Sequence, residues 1–402
     1  MITASHNSKE YNGYKVYGAS GVQLTPEVAR TVQQEILQLD YADVVFDENE
    51  DLEYEVPEAV LFGFLEQVEN AVVPVEKTVP ITIAFSALHG TSTVPARMIL
   101  ERNGFDHVVF EPQQCIPDPE FVTCPSPNPE EKEAMERVME LGKDCKADVV
   151  FATDPDGDRL GVGLWNGTDY TLLSGNEIGV LLYDYLLATG KEGGKVFKTI
   201  VTTDLLDDLA KEHGQEVVSV LNGFKYIGDQ VNLLFEQGRE DEFILGVEEN
   251  YGYLVGSYVK DKDSIGALLL FANMVQYYKN LNKDPLNRLQ EIYDQYGYRE
   301  QKVVSYTFDG EAGKKKIEEY MEMLRSIEPN DVWIEKIDYM DGVNGLPKAN
   351  ILKFVSKEKD SLIVRPSGTE PKLKLYFSLN SDELKEFMGM ARPLDVVLGE
   401  LF

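Results

Sequence analysis

The chain has 402 residues, 43% hydrophobic and 10% aromatic, enough apolar material for a full core and enough length for two to four domains. A formal net charge of -32, from 70 acidic and 38 basic residues, excludes nucleic acid and anionic membranes as partners, since both demand a basic face. With no apolar run near the ~18 residues of a membrane span, no secretory leader, and only Cys115, Cys124 and Cys145 with no CxxC pair, a cytoplasmic protein with reduced thiols is expected.

The chain opens "MITASHNSKEYNGYKVYG", a Ser-His-Asn step five residues from its start. Such a step is either a frayed terminus or a reactive loop, and residues 1–75 look like half of a domain. From Val79 the texture is that of an α/β domain. "VPITIAF" reads as a buried strand, "TVPARMILERNG" as a helix closed by Gly104, and "HVVFEP" as a second strand. "NPEEKEAMERVMELGK" has acids in its first turn and helical apolar spacing, and "ADVVFATD" is a third strand. "SGNEIGVLLYDYLLATG" is a long helix ending at Gly190.

The pattern then restarts. "KVFKTIVTT", "EVVSVL" and "FILGVEE" read as strands, with helices over "DLLDDLAKEHG" and "IGDQVNLLFEQG". Two αβ units of similar grammar stand in tandem without a literal repeat. After Tyr298 come a strand, a helix over "KKKIEEYMEMLRS" and strands at "NILKFV", "SLIVRP" and "KLKLYF", the texture of an α+β domain with an antiparallel sheet.

The strongest chemical signal is "ATDPDGDRLGV". Asp154, Asp156 and Asp158 alternate on a turn at the carboxyl end of a strand, where α/β ligand sites lie. Three converging carboxylates are costly to desolvate without a cation. An EF-hand loop begins similarly but needs Gly sixth and Glu twelfth, where this chain has Arg159 and Trp165. Few ligands on a short loop suit Mg²⁺ and a phosphate; a solvated acidic turn is the alternative. Arg365-Pro366-Ser367-Gly368-Thr369 joins two strands and offers an arginine and two hydroxyls to a phosphate, or forms an ordinary hairpin turn. Glu248, Glu249 and Asn250 close a strand and can grip sugar hydroxyls or lie as surface acids. Lys225 precedes a helix and either meets an anion there or is simply exposed.

Together, "TASHNSKEYNGYKVY", "DPDGDR", "GVEENYGYL" and "RPSGTEPKLKLY" stand in the order and approximate spacing of the α-D-phosphohexomutases. The chain resembles the phosphoglucomutase/phosphomannomutase branch of that family over essentially its whole length. The resemblance implies an α/β multi-domain fold, with tandem α/β domains followed by a C-terminal α+β domain. On this sequence it implies a first-domain remnant with the catalytic serine loop over 1–75 and a metal-loop domain over 76–192. A sugar-loop domain over 193–298 and a phosphate-binding domain over 299–402 follow.

The resemblance also implies roles. Ser5 carries a phosphoryl group, with His6 beside it and Lys15 in the place of a general base. Ser5, Asp154, Asp156 and Asp158 ligate Mg²⁺, and Arg159 supplies a local cation. Glu248 and Asn250 select the sugar, while Lys225, Arg365, Ser367, Gly368 and Thr369 hold substrate phosphate. The implied reaction moves phosphate between C1 and C6 of a hexose, glucose before mannose, through glucose 1,6-bisphosphate, which also serves as activator. The partner is a small phosphosugar; oligomeric state is not implied.

Two departures from the family pattern bear on these roles. Ser8 stands where the family has proline, and Asn250 where it has serine, which leaves a pentose phosphate as an alternative substrate. The chain also begins at the catalytic loop. Ser5 is therefore expected to hang from a strand stub, and the first-domain remnant to be mobile or to self-associate. The alternative outcome is a catalytically poor fragment that still binds Mg²⁺ and phosphosugar.

Overall fold

The computed structural model describes residues 1–45, 54–191, 193–308, 310–343, 345–367, 371–380 and 394–401. The chain divides into two compact units, Met1–Leu289 and Gln290–Phe402. In the first, α1 (Pro26–Ile36), whose Val28, Val32 and Ile36 are exposed, and α2 (Glu58–Ala71) precede two sheets built on one plan.

In the first sheet, β1 (Ile83–Ser86), β2 (Val108–Phe110) and β3 (Val149–Thr153) run parallel, connected by α3 (Thr93–Arg102) and α4 (Lys132–Cys145). β4 (Leu160–Trp165) and β5 (Tyr170–Leu172) extend it antiparallel, giving the order β2-β1-β3-β4-β5. β1 and β3 are buried at every residue, which is why they read as continuous apolar runs instead of alternating. Gly104, at φ 71°, follows the end of α3 in the left-handed conformation that stops a helix.

α5 (Gly175–Ala188) opens the second sheet's half of the unit, with Ser174 and Glu177 forming a reciprocal capping box. β6 (Lys195–Thr199), α6 (Leu205–Glu212), β7 (Glu216–Val220), α7 (Phe224–Glu236) and β8 (Phe243–Glu248) repeat the parallel plan. β9 (Gly252–Val255) adds an antiparallel edge, in the order β7-β6-β8-β9. The order β2-β1-β3-β4 corresponds to β7-β6-β8-β9, with β5 an addition to the first sheet, so the tandem grammar of the sequence is a topological repeat.

α8 (Ser264–Asn280) packs on β9 of one sheet and on β3 and β4 of the other. It is buried along most of its length, and Phe271 meets Phe151 edge-on at 5.8 Å. Two of its side-chain amides donate internally: Asn273 to the Val73 carbonyl at 3.0 Å and Gln276 to that of Val79 at 2.7 Å. α9 (Pro285–Tyr296) follows.

The second unit holds β10 (Glu300–Thr307), α10 (Gly310–Ser326), β11 (Trp333–Asp338), β12 (Leu352–Ser356), β13 (Ser361–Pro366), β14 (Lys372–Leu379) and α11 (Leu394–Leu401). Its sheet is wholly antiparallel, in the order β10-β14-β13-β12-β11, the α+β domain expected. Met321 and Leu324 of α10 and Leu398 of α11 cover Leu375, Phe354 and Trp333. All three cysteines are free thiols, and no helix among the described residues is long and apolar enough to cross a membrane.

Candidate active site

β3 runs directly into Asp154-Pro155-Asp156-Gly157-Asp158. Gly157 takes φ 73°, a left-handed conformation that side-chain-bearing residues rarely adopt, and it turns the chain tightly. One carboxylate oxygen from each of Asp154, Asp156 and Asp158 then lies within 4.8 Å of the others. Asp154 is fully buried, and its Oδ1 accepts the backbone N–H groups of Asp158 and Arg159, each at 3.0 Å. The loop is wound around its first carboxylate.

The amino-terminal segment brings a hydroxyl to this cluster. Ile2 pairs with Tyr14, the Thr3 N–H donates to the Gly13 carbonyl at 3.0 Å, and the Met1 ammonium donates to the Lys15 carbonyl at 2.9 Å. These contacts close the serine loop upon itself, which corrects the expectation of an unsupported strand stub. At the turn, Ser5 sits at φ 53°. Its Oγ is 3.2 Å from Asp154 Oδ2, from Asp156 Oδ1 and from His6 Nδ1.

Two ammonium groups face the acids. Lys15 Nζ is 2.9 Å from Asp156 Oδ2 and 3.2 Å from Asp158 Oδ2. Lys262 Nζ is 3.1 Å from Asp158 Oδ2. Lys262 is absent from the sequence-derived set. It lies on the strap between β9 and α8, and its only local signal is the alternation "KDKD" just before the Asp263 helix cap.

Burial pushes the Asp154 carboxyl well above its ordinary range, and the charges of Asp158 and Asp156 push it the same way. Burial acts upward on Asp156 too, but a hydrogen bond from Asp154 and the Lys15 ammonium outweigh it and bring Asp156 down to about 2. For Lys15 and Lys262, burial acts downward and is overcome by neighbouring carboxylates, so both are held as ammonium. His6 falls to about 4, through burial and then Arg159, and is a neutral imidazole near pH 7. Asp158 Oδ1 is buried with no hydrogen-bond partner among the described residues. An orphaned buried oxygen within an all-oxygen set of hard donors fits a divalent cation of the Mg²⁺ type.

The remaining candidates divide. Arg159 Nη1 pairs with Glu130 at 2.5 Å, its backbone bridges to Gly252, and the Leu160 N–H donates to the Tyr251 carbonyl at 3.0 Å. The acid loop is thereby stitched to the β8–β9 turn. Glu248 ends β8; burial raises its carboxyl against the pull of Lys262 and Arg159. Asn250 is half-buried in the turn, next to Tyr251 at φ 63°. Glu249 faces elsewhere, accepting the hydroxyls of Thr199 at 2.8 Å and Thr202 at 3.3 Å. Lys225 stands at the start of α7 with Nζ 5.4 Å from the centre of the Tyr226 ring. In the second unit, Arg365 lies opposite Lys374 in the β13–β14 register, and the Ser367 N–H closes the hairpin on the Lys372 carbonyl at 2.8 Å. Gly368 and Thr369 lie outside the described residues.

Four family models match along the chain. Those for the phosphoglucomutase/phosphomannomutase alpha/beta/alpha domains I, II and III match residues 1–43, 63–167 and 174–296, and that for the C-terminal domain matches 312–388. The phosphoglucomutase of Staphylococcus haemolyticus is 34% identical over 410 residues, covering 96% of this chain and 74% of that protein. That of Staphylococcus epidermidis is 35% identical over 406 residues, covering 95% and 73%. Among solved structures, a phosphoglucomutase/phosphomannomutase family protein from Burkholderia thailandensis matches with a TM-score of 0.70 at 19% identity, covering 100% of this chain and 75% of that one. Parafusin, a phosphoglucomutase from Paramecium, matches in its open form with a TM-score of 0.66 at 18% identity, covering 100% and 75%. The chain belongs to the phosphoglucomutase/phosphomannomutase family. Its activity is that of a hexose-phosphate mutase, an isomerase.

Proposed function

We propose that the chain interconverts glucose 1-phosphate and glucose 6-phosphate, with Ser5 as phosphoryl carrier and Mg²⁺ held by Ser5, Asp154, Asp156 and Asp158. The observation that carries the reading is the Ser5 hydroxyl standing 3.2 Å from both Asp154 and Asp156 carboxylates. Glucose is preferred because the Staphylococcus relatives reported above, at 34% and 35% identity, are phosphoglucomutases.

In the forward step, phosphoserine 5 gives its phosphoryl group to the free hydroxyl of a bound hexose monophosphate. The P–O bond to Ser5 breaks, a P–O bond to the sugar forms, and glucose 1,6-bisphosphate results. The bisphosphate turns over in the site, and its other phosphoryl group returns to Ser5. In the forward step the proton of the attacking sugar hydroxyl is lost to water and the Ser5 oxygen takes one up as it leaves. In the return step neutral His6, whose Nδ1 is 3.2 Å from Ser5 Oγ, accepts the hydroxyl proton and the departing sugar oxygen regains one. Mg²⁺, when bound, neutralises charge on the transferring group. Lys15, held as ammonium and so not the general base that the resemblance implies, and Lys262 hold the carboxylates in place and present positive charge to the phosphate. Glu248 and Asn250 bind sugar hydroxyls and Lys225 offers a cation to an anion in the first unit, while in the second unit the loop Arg365-Ser367-Gly368-Thr369 is the phosphate-binding element.

The test is glucose 1-phosphate turnover with Mg²⁺ and a trace of glucose 1,6-bisphosphate, combined with peptide mapping of the phosphorylated chain. One phosphoryl group on the peptide bearing Ser5 is expected. A label only on another residue, in a chain that turns over, refutes the mechanism.

A further inference from the structure

The turn that spaces the three acids is shaped by residues carrying no carboxylate. The Gly157 carbonyl accepts two hydrogen bonds from the first residue of α8, Ser264: Oγ at 2.6 Å and N–H at 3.2 Å. The Pro155 carbonyl accepts two from Thr91, just before α3: N–H at 3.0 Å and Oγ1 at 3.2 Å. Both residues interleaved among Asp154, Asp156 and Asp158 are thus held by their carbonyls, each by one N–H and one hydroxyl. Thr91 Oγ1 and Ser264 Oγ lie 3.7 and 3.9 Å from where a Cβ on Gly157 would stand, so both hydroxyls close over the tightest point of the turn.

Ser264 is 1% exposed. A helix start leaves its first N–H groups without intrahelical partners. Asp263 takes those of Ile265 and Gly266, each at 2.9 Å, and the Ser264 N–H goes to the acid turn. The cap of α8 and the turn of the carboxylates are therefore one hydrogen-bonded structure.

We propose that Ser264 and Thr91 are positioning residues for the cation, setting the spacing of the carboxylates without touching it. This rests on the metal reading above. Removing either hydroxyl leaves the carbonyl one N–H partner, which lets its peptide plane rotate, and the rotation is passed to the next carboxylate along the chain, Asp158 from Gly157 and Asp156 from Pro155. Removing partners in this outer layer of a metal site typically weakens metal affinity by about 10- to 100-fold.

The experiment is calorimetric titration of Mg²⁺ into the full chain, into Ser264→Ala, Thr91→Val, Thr91→Ser and Asp156→Asn, with thermal melting of each metal-free protein to establish folding. The expected result is Mg²⁺ affinity about tenfold or more weaker in Ser264→Ala and Thr91→Val, and near parental in Thr91→Ser. Folded Ser264→Ala and Thr91→Val that bind within twofold of a Mg²⁺-binding parent overturn the inference alone, leaving the metal site standing. If Ser264→Ala does not fold, the Thr91 pair decides by the same criterion. A parent that binds no Mg²⁺, or an Asp156→Asn variant that binds as the parent does, overturns the metal reading and this inference with it.

Discussion

Gly175→Ala should separate sugar recognition from folding. Gly175 opens α5, and the turn carrying Asn250 lies against its bare Cα. A Cβ there would stand 2.8 Å from the Tyr251 nitrogen and 2.9 Å from the Glu249 carbonyl carbon, with the Glu249 oxygen closer still. Ordinary contact begins at 3.4 Å, and all three atoms are backbone, so no side chain can swing aside. Clearing the oxygen requires the turn to move by roughly 1 Å, and a misplacement of that size costs on the order of a hundredfold in rate, or about 2.7 kcal/mol of transition-state stabilisation. The helix itself gains from the exchange, by up to about 1 kcal/mol of propensity, so the fold should persist. The measurement is kcat/KM for glucose 1-phosphate in a coupled assay beside thermal melting and Mg²⁺ titration. A fall of about a hundredfold in kcat/KM is expected, with melting and Mg²⁺ affinity changed far less. A variant within threefold of the parent would show that the turn either relaxes freely or does not place the sugar.

Asp156→Asn should abolish Mg²⁺ binding and phosphoryl transfer together while leaving the circular dichroism spectrum intact; Mg²⁺ bound as tightly as by the parent would remove Asp156 from the ligand set. Ser5→Ala should take up no phosphoryl group from glucose 1,6-bisphosphate yet still bind a phosphosugar, and a variant that is labelled normally rules out Ser5 as the carrier. Glu249 is raised to about 7 by burial and then by Glu248, from an ordinary value of 4.5. Because its folded value lies above its unfolded one, its contribution to stability is complete below about pH 4.5 and is lost as pH rises through about 7, a span on the order of 3 kcal/mol. Glu249→Gln should flatten denaturant midpoints between about pH 5 and 8, and an undiminished slope would place the titration on another group.

Where the sequence was legible, a local physical signal existed. The apolar spacing and first-turn acid of α4, the Gly104 stop after α3 and the unbroken apolar runs of β1 and β3 each reflect one short-range cause. α8 gave no such sign, because a helix buried on most sides has no polar stripe to mark its period. The acid turn was legible for a similar reason: its three carboxylates, its proline and its glycine lie within five consecutive residues. Ser5 drew a role only through family resemblance, since nothing near it in the chain announces a partner as distant as Asp154. Glu248 and Glu249 look alike as neighbours in sequence, yet successive residues at a strand end point to opposite faces. One is drawn toward Lys262 and Arg159, and the other is bonded to Thr199 and Thr202. The alternation "KDKD" names no partner for Lys262, because the fold alone carries its strap to Asp158.

A chain with a net charge of -32 that binds a phosphosugar needs its positive charge where it counts. Exposed charges separated by more than about 8 Å are largely screened at physiological ionic strength, so the global charge acts chiefly on encounter and solubility. At the site the balance is different. Asp154, Asp156 and Asp158 face the ammonium groups of Lys15 and Lys262, and Lys262 also meets Asp261 at 3.4 Å, so the ionised cluster is short of neutrality by two charges. A divalent cation entering it would cancel that deficit beside Ser5, at the place where a phosphate must dwell. Without both lysines the same cation would leave the cluster negative, and an incoming phosphate would meet repulsion in a partly buried site where water screens poorly. On the proposed function, the acids hold the metal and the lysines let the loaded site accept an anion. Lys262 is therefore as much a part of the phosphate's environment as the lysine that the family resemblance identifies.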